Sequence, residues 1–269
     1  MVIEDGELVE FRKIDSGRRI RSEKVRVSER LGDPSAPKSV SLIAIHQHKI
    51  PNIFPEDVLL QSKKASFLQN KKWDDYSHVP FVTIDPKDAR DHDDACYAKP
   101  DDDPKNIGGH LIWVAIADVA HFVRSGDAID NEARHRGNST YFPDRVVPML
   151  PDNLSGNLCS LHEGEKRACI VVKIKIDSVG NKISHKFTRA VIQSWASLEY
   201  AEVQEVIDKG KGKPKVLDLV NTVIKPLYDA YSCLKISRKA RSPLDLNLPE
   251  RKIEIDEKGI VKDVRFKER

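Results

Sequence analysis

The chain has 269 residues, 45 Lys and Arg against 42 Asp and Glu for a formal charge of +3, and 39% hydrophobic residues, the composition of an ordinary soluble protein with ample material for a core. No apolar run approaches the ~20 residues of a membrane span, and Met1 leads into Val2-Ile3-Glu4-Asp5 without a basic or apolar leader, which by default places the chain in the cytoplasm. Cys96, Cys159, Cys169 and Cys233 form no C-x-x-C pair, so they read as buried thiols in a reducing compartment, neither a disulfide frame nor a zinc site.

In chain order, Gly6 to Ile14 alternates Leu8, Glu10 and Arg12 against Val9 and Phe11, a strand pattern. Asp15-Ser16-Gly17 reads as a turn, and Lys24-Val25-Arg26-Val27 as a second strand. After the loop Gly32 to Pro37, Leu42-Ile43-Ala44-Ile45 adds an apolar run, so residues 1–50 look like part of a small β domain. Residues 51–77 read as a linker, in which Pro55 followed by Glu56 and Asp57 suits the first turn of a helix.

The larger part, residues 78–269, reads as mixed α/β. Phe81-Val82-Thr83-Ile84 delivers the chain to Asp85, Pro86 ends regular pairing, and Asp91, Asp93 and Asp94 follow. Beyond the turn at Pro100 to Pro104, Leu111 to Ala117 is almost wholly apolar, which predicts a central strand buried on both faces, with Trp113 in the core. Ala128 to Arg136 has helical spacing. Ala168 to Ile176 and Lys182 to Ile192, joined at Gly180-Asn181, predict a hairpin; Ser194 to Ile207 leads into a helix, and Asp218 to Leu234 predicts a longer one.

Four carboxylates so close together repel when ionised, so the loop either stays solvated or is neutralised by a cation. All-oxygen donors are hard, which points to magnesium or manganese before zinc, and makes His92 more a turn residue than a ligand. An EF-hand is set aside because its Gly and closing Glu are absent. The cations Arg18, Arg19, Arg21, Lys24 and Arg26 early, and Lys235, Arg238, Lys239 and Arg241 late, either grip a polyanion or are solvated faces of their elements.

Asp85, Asp91, Asp93 and Asp94 after Val82-Thr83-Ile84 resemble, residue for residue, the carboxylate signature of the ribonuclease II superfamily catalytic domain, RNB. Val114 to His121, Tyr141 to Pro151, Asn153-Leu154-Ser155 and Leu158 to Leu161 are similar to its ribonuclease R branch, and Glu29 to Asp33 resembles the end of the OB-type cold-shock domain that precedes RNB there. The resemblance implies a magnesium-dependent hydrolytic exoribonuclease that degrades single-stranded RNA from the 3′ end to nucleoside monophosphates. It assigns Asp85, Asp91 and Asp94 to magnesium, with manganese an alternative, and ties Asp93 most closely to the catalytic step.

The same resemblance gives Tyr141 and Tyr200 as aromatics that stack on RNA bases, against core packing as the alternative. Arg145 either binds phosphate or pairs with Asp144. Two departures stand out: Ser197 and Glu199 occupy positions where the family has Arg and Thr, and Ser242-Pro243 replaces Gly-Ala. The resemblance also implies a further glutamate, an Arg-rich stretch and a terminal OB-type domain beyond residue 269. An inactive RNA-binding fragment or pseudoenzyme of the same fold is therefore the alternative function, and a structural divalent-ion domain is disfavoured by the Tyr141 to Pro151 match. A monomer is the expected state.

Overall fold

The structure, a computed structural model, describes residues 3–14, 24–36, 39–67, 72–87, 89–244, 248–256 and 260–267. The expected turn at Asp15-Ser16-Gly17 and the cations Arg18, Arg19 and Arg21 lie outside these residues, as do Asp245, Leu246 and Asn247. The chain divides into two compact units, Met1–Pro55 with Glu132–Met149 and Leu246–Arg269, and Glu56–Asn131 with Leu150–Asp245.

The chain opens with strands β1 (Leu8–Lys13) and β2 (Val25–Gly32), paired antiparallel with two register shifts. The apolar run Leu42 to Ile45, expected within a β domain, is helical instead: α1 spans Ser39–Gln47. Ser41 and Ile45 are its buried positions four apart, the spacing of a helix face and not the alternation of a strand. Helix α2 (Glu56–Lys64) begins at the predicted site, with Glu56 and Asp57 in its first turn and Lys63 and Lys64 in its last, charges that complement the helix dipole.

Then come β3 (Asp74–Tyr76), β4 (Val82–Asp85), β5 (Asp94–Pro100), β6 (His110–Ala117), the single turn α3 (Val119–Phe122) and α4 (Ala128–Arg136), the last with the predicted bounds. Two short strands, β7 (Thr140–Tyr141) and β8 (Val146–Val147), form a small hairpin in the first unit. In that unit the Arg136 side chain is nearly sealed. It ion-pairs with Glu132, donates to the carbonyls of Pro148 and Ile53, and lies 3.5 Å from the Phe54 ring centre.

The second unit continues with β9 (Lys166–Ile176), β10 (Lys182–Gln193), β11 (Ala196–Glu199), α5 (Tyr200–Lys209), α6 (Pro214–Asp218) and α7 (Lys225–Ala240). The segment expected as a helix from Asp218 to Leu234 is helical from Val220 onward, though not as one α-helix. A π-helical segment, Val220–Ile224, intervenes, and Pro226 falls in the first turn of α7, where its missing donor costs nothing. The chain closes with the hairpin β12 (Glu250–Ile255) and β13 (Val261–Lys267).

One seven-stranded sheet of order β11-β4-β5-β6-β9-β10-β3 organises the second unit. The β11–β4 and β10–β3 pairs are parallel and the rest antiparallel. Strand β6 occupies the centre, as its apolar run predicts, and Trp113 is buried in it beside Tyr97. Leu198, Val206 and Val223 pack on Val82 at one end of the sheet; Leu227, Ala230 and Cys233 of α7 pack on Ala98, Ile112 and Ile176 near the middle. Each such aliphatic side chain removed from water stabilises the fold by roughly 1.5–3 kcal/mol as an upper bound.

The turn between β9 and β10 rests against α7, and Gly180 makes that contact possible. Its φ is +82°, and a Cβ there would come within 2.1 Å of the Cys233 carbonyl oxygen.

Candidate active site

The β4–β5 connection holds the four aspartates because its two ends are fixed in the sheet. Phe81, Val82 and Thr83 are fully buried, which sets Asp85 at the carboxyl end of β4, while Asp94 opens β5 opposite Ile116 of β6. The Asp93 carbonyl accepts the Ala117 N–H at 3.0 Å, so the loop is stitched to the central strand just before its last carboxylate.

Ser160 anchors the middle of the loop. Fully buried, it accepts the His92 N–H at 3.0 Å and donates to the Arg90 carbonyl at 3.2 Å, while the Leu161 N–H donates to the His92 carbonyl at 2.9 Å. Arg167, itself buried, steadies that support by donating to the carbonyls of Ser160 and Asn157. The sequence offered only a faint sign of this role, a hydroxyl inside the apolar run Leu158 to Leu161.

His92, expected as a turn residue, also holds a carboxylate. Its Nδ1 lies 2.7 Å from Asp85 Oδ2, and both side chains are 15% exposed. An ionised carboxylate only accepts, so the imidazole is the donor and fixes the rotamer of Asp85. Burial first, then the charges of Asp91, Asp94 and Asp85, push the Asp93 carboxyl above the ordinary range, against a lowering by His92. Burial and Asp85 raise Asp94 in the same direction. Elsewhere, among the described residues, Glu10, Glu29 and His46 bring three potential ligand atoms within 4.8 Å of one another. Glu10 and Glu29 are cross-strand partners of β1 and β2, a grouping the sequence did not signal.

Tyr200 starts α5 immediately after Glu199, whose Cα pairs in register with Asp85 across the parallel β11–β4 ladder. It is 58% exposed, which excludes the core-packing alternative. Tyr141 and Arg145 belong to the first unit. Tyr141 is 64% exposed on β7, and Arg145 Nε donates to Asp144 Oδ2 at 2.9 Å.

The cysteines are free thiols unsuited to nucleophilic work. Burial, then the charges of Asp94 and Asp85, push Cys96 up to about 12; burial, then Asp93 and Asp118, push Cys159 up to about 12. Among the described residues no helix is long and apolar enough to cross a membrane.

Fold and loop together define a class: a mixed α/β sheet domain that presents four carboxylates between two of its central strands. The chain belongs to the RNB domain family, whose model matches residues 73–269. It is 36% identical to ribonuclease R of Vibrio cholerae over 92% of this chain and 30% of that protein, and 38% identical to ribonuclease R of Escherichia coli over 80% and 26%. It thus spans less than a third of each of these two relatives. Among solved structures, Mycoplasma genitalium RNase R in complex with double-stranded RNA superposes with a TM-score of 0.89 at 29% identity, over 98% of this chain and 46% of that one. The complex of the same enzyme with ribose-methylated single-stranded RNA gives 0.83 at 30% identity, over 91% and 38%.

Proposed function

We propose that this chain carries the carboxylate site of a magnesium-dependent hydrolytic exoribonuclease that removes nucleoside monophosphates from the 3′ end of single-stranded RNA. The observation that carries the reading is the braced loop in which Asp85, Asp91, Asp93 and Asp94 share one field, with Asp93 and Asp94 shifted by burial and by neighbouring carboxylates. That donor set is all oxygen and anionic, so it fits a hard divalent ion. Asp85, Asp91 and Asp94 would hold magnesium, with manganese as substitute, and the ion supplies charge stabilisation at the scissile phosphate and an acidified water.

The protein's own groups do the positioning. His92 holds Asp85 in one orientation, and Ser160 fixes the backbone on both sides of Asp91. Asp93 is the residue nearest the reacting atoms in this reading and acts as acceptor for the attacking water. Tyr200 and Tyr141 offer exposed aromatic faces on which any base stacks, and Arg145, held by Asp144, is the candidate phosphate contact. The β1–β2 hairpin belongs, in this proposal, to an OB-type RNA-binding module.

A second reading is a binding fragment of the same fold without catalysis; the chain spans 30% of the Vibrio cholerae ribonuclease R it matches. Incubation of 5′-labelled single-stranded RNA with the chain, with magnesium, with chelator and with Asp93→Asn separates the two. Stepwise shortening lost with chelator and in the variant supports the nuclease; RNA retention without shortening supports the binding fragment.

A further inference from the structure

We propose that the exposed side of α7 is a second binding surface for single-stranded RNA, apart from the aspartate loop. The choice of RNA as ligand rests on the nuclease reading, whereas the surface itself is read from the helix. Its buried side is spent on the sheet through Leu227, Ala230 and Cys233. The remaining side carries Tyr228, Asp229 and Tyr231 and then a run of cations.

Tyr228 and Tyr231 are 37% and 51% exposed, and their ring centres lie 5.8 Å apart. One to three turns further on, Lys235, Arg238, Lys239 and Arg241 join Tyr231 and Leu234 around an open groove of about 740 Å³. No acidic side chain lines that groove among the described residues, and there Lys235, Arg238 and Lys239 make no ion pair. Arg241 is oriented by donating to Ser237 Oγ at 3.0 Å.

This arrangement suits a flexible polyanion with exposed π faces. Phosphates meet the cations, bases stack on the tyrosines, and the aliphatic stems of Lys and Arg with Leu234 cover the sugar edges. From Tyr228 to Arg241 the helix rises about 20 Å, long enough for several nucleotides. A paired helix would hide its base faces and leave the tyrosines unused, so the surface selects single strands.

The test is fluorescence anisotropy of a labelled oligoadenylate with this chain carrying Asp93→Asn, at several salt concentrations. Lys235→Gln with Arg238→Gln is expected to weaken binding at least tenfold and to flatten the slope of log Kd against log salt by about 1.4. Tyr231→Ala is expected to weaken binding about tenfold with the slope unchanged, since stacking releases no counterion. Lys235→Arg with Arg238→Lys should restore the parent behaviour. An unchanged Kd and slope in the glutamine variant, in a chain that still shortens RNA with Asp93 restored, overturn the α7 surface and leave the nuclease reading standing. No RNA binding and no shortening by the parent overturn both, and polyglutamate competing as well as oligouridylate overturns the choice of RNA.

Discussion

Asp94 sits in a field that favours its protonated form, and the sign of its effect on stability follows. Its folded pKa is raised above the ordinary 3.8, so the folded chain binds the proton more tightly than the unfolded chain just above that value. Stability is then lost as pH rises through the folded pKa. Asp94→Asn is expected to raise the melting temperature at pH 7 by on the order of 1–2 °C without divalent ion, and to have little effect at pH 3. With magnesium the order at pH 7 reverses, because the variant loses a ligand. Asp101 shows the opposite linkage. The Lys175 ammonium at 2.8 Å and the Asn106 amide at 2.7 Å hold its carboxyl at about 2, so its contribution is present above 3.8 and fades as pH falls toward that lower value. Asp101→Asn is expected to destabilise at pH 7, the gap to the parent closing across that acid window in thermal melts.

Elements position these residues, and two contacts decide how firmly. Ser160 makes one hydrogen bond into the carboxylate loop as donor and one as acceptor while wholly buried. Ser160→Ala strands the His92 N–H and the Arg90 carbonyl, with an expected cost of about 1–3 kcal/mol in denaturant unfolding. RNA shortening should fall more than that loss alone explains, since the loop carrying Asp91 and Asp93 is released. Gly180 acts at the β9–β10 turn. Gly180→Ala adds a methyl at positive φ directly against the α7 backbone, which no rotamer change relieves. The expected destabilisation is about 2 kcal/mol or more, and Gly180→Ser should be no milder.

At the scale of the whole molecule, the sheet and the loop were the most legible parts. Strand β6 announced itself by continuous apolar residues, α4 by its spacing, and the β9–β10 hairpin by Gly180-Asn181, because each signal is local. The aspartates were legible for the same reason, lying within ten residues of one another. What escaped was non-local or depended on backbone detail. The grip of Ser160 on a loop 68 residues earlier has no sequence period, and the pairing of His92 with Asp85 needs the loop's actual path. Four apolar residues at Leu42 to Ile45 suit a strand or a helix equally, and packing at Ser41 and Ile45 decided for the helix. The π-helical turn Val220–Ile224 ahead of α7 has no sequence signal in the apolar spacing, which runs straight through it.

In the proposed function the aspartate loop is a hard-cation site. Its most direct test is titration of the chain with Mn²⁺, following free ion by electron paramagnetic resonance, for the parent and for Asp91→Asn with Asp94→Asn. Saturable binding that magnesium displaces and the double variant abolishes is the predicted result. Equal binding by parent and variant would place the ion elsewhere and contradict the account.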